Sequence, residues 1–379
     1  MNWHLVTGEF PPDCGGVGDY SADLAQALAA AGDTVHVWTV RPASARQGDG
    51  IVVHGLPDRF GRRSRSTLEA AWQATPGIVL LQYVPNALGA RGANLPFCLW
   101  LHGVHRAGAD VRVMFHEPYF YFTLVRPWRN ALALVQRAMA ATLLRAADTI
   151  YMSTETWMRY LRQSDGHRRF QTLPIPSSIP SSPSRALVDS YRAQIAGYES
   201  VVIGHFGTYG DHVGAELLAV LPAIHALLPA ARFALVGAGS REFLDRLHPR
   251  APDVASRAWA SGRVSGNDVS ALLRACDLLV QPYPDGITTR RTSAMAGLKN
   301  GVAIVTTSGE LTERVWTESG AVALVPAGDS NAFAQAVARL TDDAGARSAL
   351  AAAGARAYER HFSMPHTIAM LREAPAGLS

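Results

Sequence analysis

Three stretches of the sequence bring together residue types suited to an anion or a sugar. The first is Gly15-Gly16-Val17-Gly18, placed between the short apolar run Trp3 to Thr7 and a helical face carrying Leu24 and Leu28. Glycines at a helix start leave backbone amides uncovered at the positive end of the helix dipole, a geometry that suits a diphosphate. The spacing is not the GxGxxG dinucleotide fingerprint, and the same glycines equally serve a tight turn. The second stretch is His116-Glu117-Pro118, which closes the extended run Val111 to Phe115. A HExxH zinc helix would need a ligand where the chain has Phe120, so two readings of His116 stand: a hydrogen-bonding group for a sugar hydroxyl or leaving phosphate, or a packed or surface histidine. The third stretch, Gln281 to Ala296, runs from a strand end past the carboxylate of Asp285 into a helix start with Arg290, Arg291, Thr292 and Ser293. A carboxylate suits hydroxyl recognition, while guanidinium groups and a helix end suit phosphate oxygens.

The elements that must position these residues follow one pattern. Strand, glycine-rich loop, helix and strand fill the first forty residues, with a stop at Gly32 and alternation at Val35 and Val37. Asn94-Leu95-Pro96 starts a helix bearing Phe97, Trp100, Leu101 and Val104, and Gly108 ends it before the run Val111 to Phe115. Between Leu173 and Arg185 the chain is too rich in Pro and Ser for a helix or central strand and reads as a linker. A second series follows: strands Val201 to Phe206, Phe233 to Val236, Leu278 to Gln281, Val302 to Thr306 and Val322 to Val325, with helices Gly214 to Leu228, from Arg241, from Thr292, Asn331 to Leu340 and Ala344 to Tyr358. The expectation is an α/β protein of two doubly wound, Rossmann-like domains facing a cleft, residues 1–178 and 186–358, with a tail, 359–379, that crosses back to the first. Ligands of such sheets lie beyond the carboxyl ends of the strands.

Composition narrows the partners. A chain of 379 residues fits two domains, and with 48% hydrophobic and 17% charged residues it has ample material for their cores. The net charge of +4 and the lack of a basic run argue against nucleic acid. All but one of the 35 cationic residues are arginine, the exception being Lys299, so a phosphate clamp must use Arg, hydroxyls and backbone amides. Cys14, Cys98 and Cys276 are widely spaced without a CxxC, which suggests neither disulfides nor a zinc site and fits a reducing compartment. No signal peptide or spanning helix is expected, and the location expected is cytoplasmic. The segment Tyr119 to Leu161 mixes Phe120, Phe122, Trp128 and Trp157 with Arg126, Arg129, Arg137 and Arg145. It reads as an amphipathic helix packed in the first domain with its arginines in water, in preference to a membrane or lipid-acceptor contact.

Taken in order, these motifs resemble the family-4 glycosyltransferases, GT-B enzymes that use nucleotide sugars, over nearly the whole chain. Their first loop is similar to Pro11-Pro12-Asp13-Cys14-Gly15-Gly16-Val17-Gly18-Asp19-Tyr20, their Val-Gly-x-Gly turn to Val236-Gly237-Ala238-Gly239, and their Gly-Arg-Val segment to Gly262-Arg263-Val264. The family's paired glutamates, eight positions apart with the second before Ala-Met-Ala, align with Asp285 and Ser293. Ser293 lacks the carboxylate that holds ribose hydroxyls in the family, and can make one weaker bond or cap the helix. The family's diphosphate-binding Arg and Lys are both absent from the stretch Gly204-His205-Phe206-Gly207-Thr208-Tyr209-Gly210-Asp211-His212, and Arg290 and Arg291 are positioned to supply that charge instead.

The resemblance implies transfer of a sugar from a nucleotide diphosphate donor to an unidentified acceptor, with retention of configuration, without metal and without a cofactor. With the residue readings above, it leads to Gly15, Gly16, Gly207, Thr208, Gly237, Arg263, Val264, Arg290, Arg291, Thr292 and Ser293 as the residues expected around the donor, and His116 and Asp285 around the sugar. Two rivals remain: a GT-B epimerase or hydrolase acting on the nucleotide sugar alone, and an inactive sugar-nucleotide binder or partner subunit, suggested by Ser293 and the missing Arg and Lys.

Overall fold

A computed structural model describes residues 1–12, 15–41, 50–123, 127, 129–162, 169–196 and 200–373. Asp13, Cys14, Arg126 and Trp128 lie outside the described residues. The chain divides into two compact units, Met1–Pro174 with Met364–Ser379, and Ile175–Ser363.

The first unit contains β1 (Asn2–Thr7), α1 (Gly16–Ala30), β2 (Thr34–Thr39), β3 (Ile51–Gly55), α2 (Arg62–Ala74), β4 (Ile78–Tyr83), α3 (Leu95–Arg106), β5 (Val111–Phe115), α4 (Arg129–Ala146), β6 (Thr149–Met152), α5 (Glu155–Arg162) and β7 (Arg169–Thr172). The strands form a parallel sheet in the order β3-β2-β1-β4-β5-β6-β7. β5 is buried along its whole length and β4 along nearly all of it, as expected for parallel strands covered by helices on both faces. α1 buries Leu24 and Leu28, and the chain leaves it through Gly32, whose φ of +86° a side chain would resist.

The segment Tyr119 to Leu161 departs from the single amphipathic helix expected. It is α4, β6 and most of α5, because the β-branched and aromatic run Thr149-Ile150-Tyr151-Met152 extends and pairs with β5. Asp148 joins the two strands by accepting the Val111 N–H on its carboxylate at 3.1 Å and donating its own N–H to the Val111 carbonyl at 2.7 Å. The arginines also differ from expectation. Arg129 lies 4.5 Å above the Phe120 ring, and Arg137 lies 4.1 Å from Tyr119 and 4.5 Å from Phe122, since a weakly hydrated guanidinium gains more on an aromatic face than free in water.

The second unit holds α6 (Arg185–Ile195), β8 (Val202–Phe206), α7 (Asp211–Leu227), β9 (Arg232–Val236), α8 (Ser240–Leu247), α9 (Pro252–Ser256), β10 (Ala258–Ala260), α10 (Gly266–Ala275), β11 (Leu278–Gln281), α11 (Thr292–Lys299), β12 (Ala303–Ser308), α12 (Arg314–Glu318), β13 (Ala323–Pro326), α13 (Ser330–Asp342) and α14 (Ala344–Ala357). Its parallel sheet runs β10-β9-β8-β11-β12-β13. Numbered within the unit this is 3-2-1-4-5-6, the doubly wound order whose direction reverses between β8 and β11. The Pro- and Ser-rich stretch has neither helix nor strand, and from Ile175 onward it packs on this unit. The Ser177 N–H donates to the Tyr358 hydroxyl at 3.2 Å, and Lys299 Nζ donates to the Ser177 carbonyl at 3.2 Å.

A last helix, α15 (Met364–Arg372), belongs to the first unit. Arg112, buried on β5 and paired with Asp110 at 2.7 Å, donates to the carbonyls of Leu371 and Glu373 at its end. Arg372 reaches the buried Asp33 carboxylate at 2.7 Å, which also accepts from the Met1 amino group at 2.7 Å and the Trp3 indole at 3.1 Å. Among the described residues no helix is long and apolar enough to cross a membrane.

Candidate functional site

The reversal point of the second sheet is where its strands part. β8 and β11 pair only at Ile203↔Leu278 and Gly204↔Leu279, and side chains bridge what lies beyond. His205 donates from Nδ1 to the Val280 carbonyl at 2.8 Å, and Gln281 donates from Nε2 to the Phe206 carbonyl at 3.1 Å. A carbonyl can only accept, so the His205 proton is on Nδ1 and Nε2 presents a lone pair. That nitrogen is buried without a partner. Burial holds the imidazole pKa down at about 4, so the ring is neutral at neutral pH.

Above this point lies a cavity of about 290 Å³ lined by His205, Phe206, Gly207, Thr208, Tyr209, Val213, Ala238, Gln281, Tyr283, Arg290, Arg291, Thr292 and Ser293. Its walls carry two guanidinium groups and no carboxylate. Proton accounting orients its hydroxyls. The Tyr283 hydroxyl donates to Gln281 Oε1 at 3.2 Å, so at its 2.9 Å contact with Ser293 it accepts, and Ser293, donating there, keeps both lone pairs for a ligand. Burial pushes the Tyr283 phenol up to about 12, keeping it protonated, and Arg291 lies 4.4 Å above its ring.

Backbone polarity adds to this charge. α7, α8 and α11 all start near the cavity, after Gly210, Gly239 and Arg291, and none has a side-chain cap. Elsewhere in the unit Ser184, Ser265, Asp329 and Asp343 cap α6, α10, α13 and α14, while the five-residue helices α9 and α12 have no side-chain cap either. Uncapped starts leave amides and the positive ends of the helix dipoles available to an anion. The close approach of two turns makes this arrangement possible. A Cβ on Gly237, at φ +112°, would stand 2.4 Å from the Gly207 carbonyl oxygen, and one on Gly239 would stand 2.7 Å from that of Thr208. Tyr209 itself adopts φ +57°, its hydroxyl donating toward the His205 carbonyl at 3.0 Å.

Of the residues singled out in sequence, Gly207, Thr208, Arg290, Arg291, Thr292 and Ser293 meet in this cavity, and Gly237 abuts it through Gly207. Arg263 and Val264 do not line it. They continue the loop whose Ser261 hydroxyl accepts the Gly237 N–H at 3.0 Å, and Arg263 is exposed. The Asp285 side chain is exposed outside the cavity wall, while its carbonyl accepts the Leu311 N–H at 2.9 Å. His205, Gln281 and Tyr283 passed without a role in the sequence, because a strand-end polar residue becomes informative only once the reversal point is known. Glu313 passed unnoticed altogether. Nothing in its spacing ties it to Thr289, yet it accepts the Thr289 N–H and hydroxyl.

Gly15, Gly16 and His116 belong to the first unit. Gly15 precedes α1 without a side-chain cap, and the Glu9 carboxylate stands 2.3 Å from where a Gly15 Cβ would be. His116 is buried, with Nε2 bonded to Gln82 Oε1 at 2.7 Å and its ring edge-on to Tyr20. Among the described residues no group of three or more His, Cys, Asp or Glu could hold a metal ion.

Two parallel α/β units, one with a phosphate-suited cavity at its sheet reversal, define the GT-B glycosyltransferase fold. The model of "Glycosyl transferase 4-like domain" matches residues 15–176, and that of "Glycosyl transferases group 1" matches residues 200–343. The chain belongs to the group 1, family-4-like glycosyltransferases. Sucrose-phosphate synthase from Thermosynechococcus elongatus is similar in structure at TM-score 0.71 and 16% identity, covering 98% of this chain and 97% of that one. Anabaena HepE, in complex with UDP and glucose, superposes at TM-score 0.67 with 15% identity over 98% of both chains. WaaG, a glycosyltransferase involved in lipopolysaccharide biosynthesis, does so at 0.64 with 15% identity over 100% of each. These likenesses carry the fold. No curated protein matches the chain.

Proposed function

We propose that the second unit holds the diphosphate of a nucleoside-diphosphate sugar in the 290 Å³ cavity, and that the enzyme transfers the sugar with retention of configuration. The carrying observation is the convergence of uncapped helix starts with Arg290 and Arg291 on a wall without carboxylates. As the bond from the anomeric carbon to the β-phosphate oxygen breaks, negative charge grows on the departing diphosphate. Donors already in place stabilise that charge without reorganising. The acceptor oxygen bonds to the same face of the anomeric carbon, and its proton passes to the leaving phosphate, so no side chain serves as general base. In this reading the arginines supply the positive charge that a metal ion would otherwise bring.

Because HepE is seen with UDP and with UDP-glucose, UDP and its sugars are the first ligands to try, with GDP, ADP and their sugars beside them. A ligand present at a hundredfold its Kd stabilises the native state by about 2.7 kcal/mol and raises its melting temperature. No thermal shift from any nucleoside diphosphate would refute the assignment. Ser293, in place of a carboxylate, favours a second reading in which the protein binds donor without turnover. Donor binding without product across a broad acceptor panel would select it.

A further inference from the structure

We propose that Glu313, which precedes α12, is a positioning residue that aims Arg290 and Arg291 into the cavity; this rests on the diphosphate reading of that cavity. Glu313 is 1% exposed. Its carboxylate accepts the Thr289 backbone N–H at 2.5 Å, the Thr289 hydroxyl at 2.8 Å and the Trp316 indole N–H at 3.3 Å. Trp316 is itself buried and stacked on Phe362 with centroids 5.1 Å apart, so the carboxylate is held from behind by the core.

A carboxylate is kept out of water only where directed donors meet its charge, and two of the donors here come from one residue of one loop. That residue immediately precedes the two arginines. The Thr289 carbonyl accepts the Ile175 N–H at 3.4 Å, so its backbone is held from both sides. Tight bonds continue the turn, from the Arg291 N–H to the Thr288 carbonyl at 3.0 Å and from the Thr292 N–H to the Arg290 carbonyl at 2.9 Å. Fixing Thr289 therefore fixes the backbone from which both guanidinium groups project. Long side chains on a loose loop lose much of their binding free energy to ordering, and anchoring the loop beforehand removes that loss.

The test is calorimetric titration of the full chain with UDP and, separately, inorganic pyrophosphate. It compares wild type, Glu313→Gln, Thr289→Val, Arg290→Ala/Arg291→Ala and the triple variant joining Glu313→Gln to the arginine pair. Glu313→Gln keeps the shape but turns one acceptor oxygen into a donor facing donors, and affinity is expected to fall about tenfold or more. In the arginine-free background the same change should have no further effect, since positioning acts through the arginines, whereas a merely structural role would weaken binding equally in both. Thr289→Val retains the N–H and should show a smaller loss in the same direction. It decides the matter if Glu313→Gln does not fold. Wild-type affinity in Glu313→Gln, or equal losses in both backgrounds, would overturn the proposal and leave the cavity's assignment intact. Failure of wild type to bind either UDP or pyrophosphate would remove both.

Discussion

Two helix starts in this chain share one backbone arrangement, strand, glycine turn and helix, but differ in the side chains around them. At α1 the turn is pressed against a carboxylate, with Glu9 Oε2 2.3 Å from the Cβ position of Gly15. At α7 the turn faces a cavity with Arg290 and Arg291 and no acid in its wall. Both ends carry the same helix dipole, so the backbone alone does not say which receives an external anion. At α1 the protein sets a carboxylate against the turn, and at α7 it sets two guanidinium groups in the cavity wall, the first-turn carboxylate of Asp211 being exposed outside that wall.

Glycine replacement should break this symmetry most strongly. Gly237 has φ +112°, and its missing Cβ would strike the Gly207 carbonyl oxygen at 2.4 Å. Backbone strain and a backbone clash that no rotamer relieves should cost Gly237→Ala about 4 kcal/mol. Gly15 is extended at φ −174°, and its clash is with the far end of a rotatable glutamate side chain, so Gly15→Ala should cost less than about 1 kcal/mol. Urea midpoints of the two variants provide the measurement. Equal losses would mean that Glu9 is as rigidly fixed as a backbone carbonyl.

The leading strand of each unit carries a buried histidine, and the pair predicts a smaller, pH-dependent effect. His4 on β1 is satisfied at both nitrogens, donating from Nε2 to the Thr75 carbonyl at 2.8 Å and accepting the Trp38 indole N–H at 3.2 Å. Burial lowers its pKa. His205 on β8 has one nitrogen without a partner and a pKa near 4. Both are depressed below the unfolded value of 6.5. The unfolded chain therefore binds the proton first, and the stability present above pH 6.5 is lost as pH falls toward 4. For His205 the loss is about 3 kcal/mol. Stability curves at pH 7.5 and 4.5 should show this slope, and His205→Gln should flatten it. An unchanged slope would place the proton-linked loss at other groups, His4 among them.

Most of the fold was legible because periodicity is local. β5 and β11 match the sequence reading to the residue, and α11 begins at Thr292 as expected. Regions with mixed signals were harder, such as β3, where every core position is only half-buried, and α2, whose arginine-rich first turn hides its apolar stripe. The arginine pair and the glycine turns could be read as a site because each carries its chemistry in adjacent positions. Glu313 could not, since its partner Thr289 is 24 residues earlier and only the parallel pairing of β11 with β12 brings the two following loops together. Nor could the 2.9 Å bond between Tyr283 and Ser293, since the two lie ten positions apart and the chain must first turn back from β11 to the start of α11.

The smallest expected effect bears most directly on the comparison of helix starts. If UDP is held by the second unit alone, Glu9→Gln should change its affinity by no more than about twofold, because a charge outside the binding cavity is screened by solvent and salt. If the α1 start also takes a share of the diphosphate, neutralising Glu9 removes a like charge at the point of contact, and affinity should rise by about fivefold or more at low ionic strength. Titrations at two salt concentrations separate the cases, since the gain at a shared site shrinks with salt while an absent effect stays absent. A rise would assign Gly15 and Gly16 to the donor after all, with Glu9 acting as a stand-in anion that the substrate displaces. A flat response, beside the loss expected on removing Arg290 and Arg291, would show that two equal dipoles are sorted by their neighbouring side chains.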